Sequence, residues 1–174
     1  MLSAIVLTPP SGDTTRLAGA VLRTLTALVP ATIEGVLRDV TLLKVGDAGD
    51  IAGIADEAGC RLVEERDLPA ALARGAASAR SPWVFVVQAG TVPSRLFGEE
   101  AARALESRQT TREALFLREA PTSLLARWFP SLAPVAGVIL PRSRLAEIRC
   151  DSFTDLVRRA RPARTLPTTA SARR

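Results

Sequence analysis

The chain has no histidine, a single lysine and only two cysteines among its 174 residues. Without an imidazole, neither a Ser-His-Asp nor a Cys-His catalytic set can be assembled, because each needs a ring nitrogen to carry the proton. Cys60 and Cys150 stand 90 positions apart and no CxxC is present, which leaves no basis for a disulfide framework or a thiolate–imidazole zinc site. They read as small, reduced hydrophobes of a cytosolic protein. Acid–base chemistry would fall to carboxylates or water. No apolar run approaches the roughly 20 residues that cross a bilayer, and the longest, near 133–140, is strand-sized. Met1–Thr8 is apolar, but no basic segment accompanies it and Pro9-Pro10-Ser11-Gly12 follows at once. A first strand is therefore a better reading than a signal peptide.

Hydrophobic residues make up 47% of the chain, enough for one substantial core and too many for a disordered segment. The net charge of +5 is unevenly placed. Residues 1–148 are balanced, whereas seven arginines against Asp151 and Asp155 give residues 149–174 the whole excess. The organisation read from this is one α/β domain over 1–161 followed by a basic, flexible tail over 162–174. Such a tail is either a solvated end or a binder of anionic surfaces. Nucleic acid is disfavoured, because no aromatic residue interleaves the arginines to stack on bases.

Hydrophobic periodicity supplies the elements. Leu2–Thr8 is a short continuous apolar run closed by a Pro/Gly turn, hence a buried strand. Asp13 or Thr14 caps a helix with Leu17, Val21, Leu25 and Leu28 on one face, ended by Val29-Pro30. Val36–Val45 is the second strand, and a short helix stopped by Gly59 leads to a third strand at Cys60–Glu64. Leu68–Arg80 is an alanine-rich helix, and Trp83–Val87 is the most strongly β segment of the chain. Pro93 opens a helix to about Arg108. Ala114–Leu117 and Val135–Leu140 are strands, with helices at Thr122–Trp128, Arg142–Ile148 and Ser152–Arg161. Alternation at this spacing calls for a three-layer α/β/α arrangement with a mostly parallel sheet. Ligands in such sheets sit beyond the strand C-termini, which places a site at 8–13, 44–50 and 88–92.

Those loops carry a resemblance. The apolar first strand with its proline loop, Leu28–Val40 (LVPATIEGVLRDV), Ile54–Val63 (IADEAGCRLV) and Ala71–Thr91 (ALARGAASARSPWVFVVQAGT) resemble the family 2 glycosyltransferases. So do Gly137–Ile148 (GVILPRSRLAEI) and Asp155–Arg159 (DLVRR). The chain looks like a small bacterial and degenerate member. The resemblance implies the GT-A, nucleotide-diphospho-sugar transferase fold and transfer of a sugar from a nucleotide donor to an acceptor. It also implies a divalent metal, Mn or Mg, on an Asp-x-Asp, although the sequence itself requires no cofactor. The chemistry explains the pattern: the diphosphate leaves with negative charge that a cation must neutralise, and a carboxylate must take the acceptor's proton.

The matching positions depart from that pattern. Gln88, Ala89 and Gly90 stand where the Asp-x-Asp belongs, so no metal ligand is assigned. The second-strand aspartate falls on Lys44, which either contacts a phosphate directly, without a metal, or is a solvated strand end. Asp47 and Asp50 are either shifted replacements or parts of a plain Gly/Asp turn. Arg66 is the one cation kept in the phosphate-side turn. The late Glu-Asp pair falls on Ser152-Phe153, with Asp151 or Asp155 standing in if the register is shifted by two residues. The resemblance thus implies Thr8, Pro9, Lys44, Asp47, Arg66, Gln88 and Gly90 as nucleotide-sugar contacts and Asp151 and Asp155 as catalytic. The alternative is a catalytically inactive relative acting as a binding module or as partner of an active transferase. Leu124, Leu125, Trp128 and Phe129 beside Arg127 are either core or a membrane-surface contact toward a lipid-linked acceptor. The expected location is cytoplasmic, with a peripheral position at the inner face of the membrane as the further option.

Overall fold

The computed structural model describes residues 1–8, 13–46, 50–107, 113–121, 128 and 133–172. Its framework follows from β1 (Leu2–Leu7), in which all six residues are buried. A strand buried on both faces needs cover above and below. β1 lies parallel between β2 (Leu37–Val45) and β4 (Trp83–Gln88), and β3 (Arg61–Glu65) extends the parallel set beyond β2. The remaining strands are β5 (Thr91–Pro93), β6 (Ala114–Glu119), β7 (Val135–Pro141) and β8 (Ala163–Ala172). One eight-stranded sheet runs β3-β2-β1-β4-β7-β6-β8-β5. β7 is antiparallel to β4 and β6, β8 is parallel to β6, and β5 is antiparallel to β8. The sheet is thus parallel through β4 and mixed beyond it.

Helices cover both faces, as the alternation of elements requires. On one face α1 (Thr14–Ile33), α2 (Ala52–Glu57) and α4 (Phe97–Glu106) pack on Leu2, Ala4, Val6, Leu42, Phe85 and Val87. On the other, α3 (Leu68–Ser78), α5 (Arg142–Glu147) and α6 (Phe153–Arg159) pack on Ile5, Leu7, Leu43, Val84 and Val86. The Asp13 carboxylate accepts the Arg16 amide at 3.1 Å and caps α1, the role the sequence assigns to Asp13 or Thr14. Gly59, at φ +64°, follows α2 in the left-handed conformation that an L side chain resists.

Four expectations are corrected. Val29-Pro30 does not end α1, which continues to Ile33 with Pro30 inside. Proline removes the amide that would bond the Thr26 carbonyl, and Thr26 lies on the exposed side, where water can serve it. Pro93 does not open a helix: it closes β5, and α4 begins at Phe97. β5 stands at the sheet edge, where a residue without an N–H is tolerated. Within the expected flexible tail, Ala163–Ala172 are instead β8, held between β6 and β5 with Leu166, Thr168 and Ala170 buried. Pro167 falls in the irregular stretch between Thr165 and Thr169, where pairing with β6 is interrupted. Finally, α1 does have the length and composition of a membrane span, with a mean hydropathy of 1.2. Its Leu17, Val21, Leu28 and Ala31 are packed against the sheet, whereas Leu22, Val29 and Ile33 are exposed. The expected helix at Thr122–Trp128 and the apolar group Leu124, Leu125 and Phe129 lie outside the described residues, except for Trp128, which is exposed.

β7 crosses β4 at one point without room for a side chain. A Cβ on Gly137 would stand 2.5 Å from Cε2 of Phe85, a wholly buried ring whose centroid lies 4.5 Å from that of Phe97, the two tilted by 36°. Gly137→Ala is expected to lower stability by about 1–3 kcal/mol through overpacking. Chemical denaturation measures it, and an unchanged midpoint would contradict this close approach.

Candidate functional site

In the order β3-β2-β1-β4, the first three strands progress one way and the chain then crosses to the far side of β1. The helix after β1 and the turn after β4 both lie on the α1 face, which leaves the other face open at the C-terminal ends of these strands. A cavity of about 490 Å³ lies there. Its polar lining is Thr8 from the end of β1, Gln88 from the end of β4, Asp67 at the start of α3, and Asp151 with Ser152 at the start of α6. Leu7, Val45, Leu68, Pro69 and Phe153 form its apolar walls.

Side-chain alternation decides which strand-end residues reach this cavity. Val84 and Val86 face α3, and Gln88 continues that series into the cavity. On β2, Leu43 and Val45 face the same side, whereas Lys44 follows Leu42 toward the α1 side. The Lys44 ammonium there donates to Glu64 of β3 at 3.2 Å. Gly90 is turned away as well. Its amide, at φ +95°, donates to Thr24 Oγ1 at 2.9 Å and to the Ala20 carbonyl at 3.1 Å, both on α1. Thr24 is fully buried and its hydroxyl in turn donates to the Thr91 carbonyl at 2.9 Å. The β4–β5 turn is therefore pinned to α1 by a threonine to which the sequence reading gave no role.

Of the sequence-assigned residues, the fold brings Thr8, Gln88 and Asp151 to one cavity. Lys44, Arg66, Gly90 and Asp155 do not line it, and Pro9 and Asp47 lie outside the described residues. The Thr8 hydroxyl donates to the Leu43 carbonyl at 2.9 Å, which fixes its lone pairs as the free face. Asp155 sits in the first turn of α6, where its amide donates to Ser152 Oγ at 3.1 Å. Hydrogen bonds from Arg159 and Arg158 to its carboxylate hold the Asp155 pKa below the usual carboxylate range. A carboxylate so engaged is a weak base for an acceptor hydroxyl. Asp67 joins the cavity without having been assigned. Its signal was local: an Asp before Leu68-Pro69 is a helix N-cap, and its carboxylate accepts the Ala70 amide at 2.8 Å. Neither thiol offers a nucleophile at neutral pH. Burial pushes Cys150 up to about 11 and raises Cys60 as well.

The residues at the end of β4 do not fit a divalent cation. Gln88 offers one neutral amide oxygen, Gly90 offers no side chain, and its backbone is turned to α1. Hard cations want several carboxylate or carbonyl oxygens together. Among the described residues no three of His, Cys, Asp or Glu gather into a metal-holding group.

No protein-family model matches the sequence, and no curated protein matches it. Solved structures do match by shape. Glucosyl-3-phosphoglycerate synthase from Mycobacterium tuberculosis, solved with Mn2+, UDP and glucosyl-3-phosphoglycerate, superposes with a TM-score of 0.61 at 16% identity. That match covers 99% of this chain and 72% of the synthase. TarS 1–349 from S. aureus gives a TM-score of 0.65 at 12% identity, covering 99% of this chain and 60% of that one. HddC from Yersinia pseudotuberculosis gives 0.56 at 9% identity, covering 88% and 82%. The chain has the GT-A glycosyltransferase-like fold.

Two variants check this geometry. Thr24→Val leaves the Thr91 carbonyl without its donor and weakens the hold on the Gly90 amide, and should lower stability by about 1–2 kcal/mol in denaturant titration. Asp155→Asn should lower the melting temperature at neutral pH. Because the folded Asp155 pKa is depressed, its contribution is present above the ordinary carboxylate range and is lost as pH falls through the folded value. Melts of variant and wild type should therefore converge in acid. A gap that persists there would mean that the ion pairs are not its source.

Proposed function

We propose that this protein is a glycosyltransferase-type scaffold whose strand-end cavity binds a sugar-bearing ligand, and that it acts as a binding relative rather than a metal-assisted transferase. The observation that carries the reading is the composition of that cavity. It lies where an open α/β sheet receives its ligand, and its volume suits a small molecule. Its Asp67, Asp151, Gln88 and Thr8 are hydrogen-bonding groups suited to sugar hydroxyls. Of the parts a transfer step would use, Asp151 lines the cavity, whereas others are replaced or engaged elsewhere. Gln88 and Gly90 replace the metal-holding carboxylates, Lys44 faces the other side of β2, and Asp155 is bound by two arginines. The fold neighbour solved with Mn2+ and UDP supports a sugar-nucleotide ancestry for the scaffold.

Calorimetry and ligand-observed NMR with UDP-sugars, GDP-sugars and the parent sugars, each with and without Mn2+, test the proposal. Binding of a sugar-bearing probe should be independent of Mn2+, without turnover, and blocked by Val45→Trp, which fills the cavity wall. Mn2+-dependent transfer or hydrolysis would restore the enzyme reading, and silence from every probe would remove the binding reading.

A further inference from the structure

We infer that the cavity selects an uncharged, hydroxyl-bearing ring and discriminates against phosphates, an inference that rests on the sugar-binding reading above. Among the described residues that line it, none is a lysine or an arginine, while Asp67 and Asp151 both contribute carboxylates. The two cations nearest in sequence, Lys44 and Arg66, are not part of the lining. Lys44 lies on the opposite side of β2 in an ion pair with Glu64.

The helix ends facing the cavity make the same point independently. A helix N-terminus attracts phosphate through its unbonded amides and the positive end of its dipole. At α3 that place is taken by the chain's own anion: the Asp67 carboxylate accepts the Ala70 amide, and Pro69 has no amide to offer. At α6 the Ser152 hydroxyl accepts the Asp155 amide. A diphosphate entering here would meet two acidic residues and, among the described lining residues, no cation to offset them. A neutral ring meets the opposite situation. Carboxylate and amide oxygens accept its hydroxyl protons, and the apolar walls receive its face.

Titrations with two series decide it: uridine, UMP and UDP, and methyl glucoside, glucose 1-phosphate and UDP-glucose, all with and without Mn2+. The neutral member of at least one series should bind, with each phosphorylated member about tenfold weaker or more and Mn2+ without effect. Which series responds separates a nucleoside from a free saccharide as the ligand. Asp67→Asn, which keeps a good helix cap, combined with Asp151→Asn should narrow the gap between neutral and phosphorylated probes. Phosphorylated probes binding as tightly as their neutral parents, or a gap unchanged in the double variant, would overturn the inference and leave the sugar-binding reading standing. Absence of binding by every member of both series would overturn the two together.

Discussion

Everything at the candidate site depends on β1 and β4 being buried on both faces. Leu2, Ala4 and Val6 point to α1, whereas Ile5 and Leu7 point to α3, and β4 repeats the pattern with Phe85 and Val87 against Val84 and Val86. A slip of one residue would carry a core face to the wrong side, so the register is strongly set. That setting propagates to the strand ends, where it assigns each side chain to one side of the sheet. Gln88 and Val45 belong to the cavity for this reason, and Lys44, one position from Val45, does not. Proximity along the chain is a poor guide to membership of such a site.

Much of the first half of the fold was legible in the sequence. Short apolar runs, the Asp13 cap and the Gly59 stop are local signals that mark individual elements. The missed features are those in which distant pairing overrides composition. Nothing near Pro93 announces an edge strand, because its partner Ala170 lies far along the chain. The threonine- and alanine-rich stretch of β8 has only Leu166, Thr168 and Ala170 as an inward series, too weak to stand out beside its arginines. At the site, Thr8 and Gln88 line the cavity at the strand ends. Lys44 lies outside it because side chains alternate along β2, and Gly90 because the Thr24 hydroxyl holds it from a helix remote in sequence.

The charge excess of the C-terminal region is also less available than its composition implies. Arg158 and Arg159 are tied to Asp155, Arg144 donates to the carbonyls of Arg159 and Arg161, and Arg164 lies 3.5 Å from Glu113. Surface pairs of this kind contribute little stability individually. Here they orient the segment that joins α6 to β8. Of the seven arginines that looked like a free anionic-surface binder, Arg158, Arg159 and Arg164 are engaged with their own fold.

The insertion of β8 between β6 and β5 has a consequence for how the molecule comes together. β5 is attached to the sheet through β8 alone, and the contact between Ser94 and Thr168 spans 74 residues of sequence. Closing so long a loop carries an entropy penalty before any pairing offsets it, and sheets rich in such contacts form slowly. The parallel half is not local either, because Leu2 of β1 pairs with Trp83 of β4. The mixed half must wait for residues 163–172 to arrive. During synthesis the cavity stays incomplete until Asp151, Ser152 and Phe153 are made, and β5 lacks its neighbour until residues 163–172 follow.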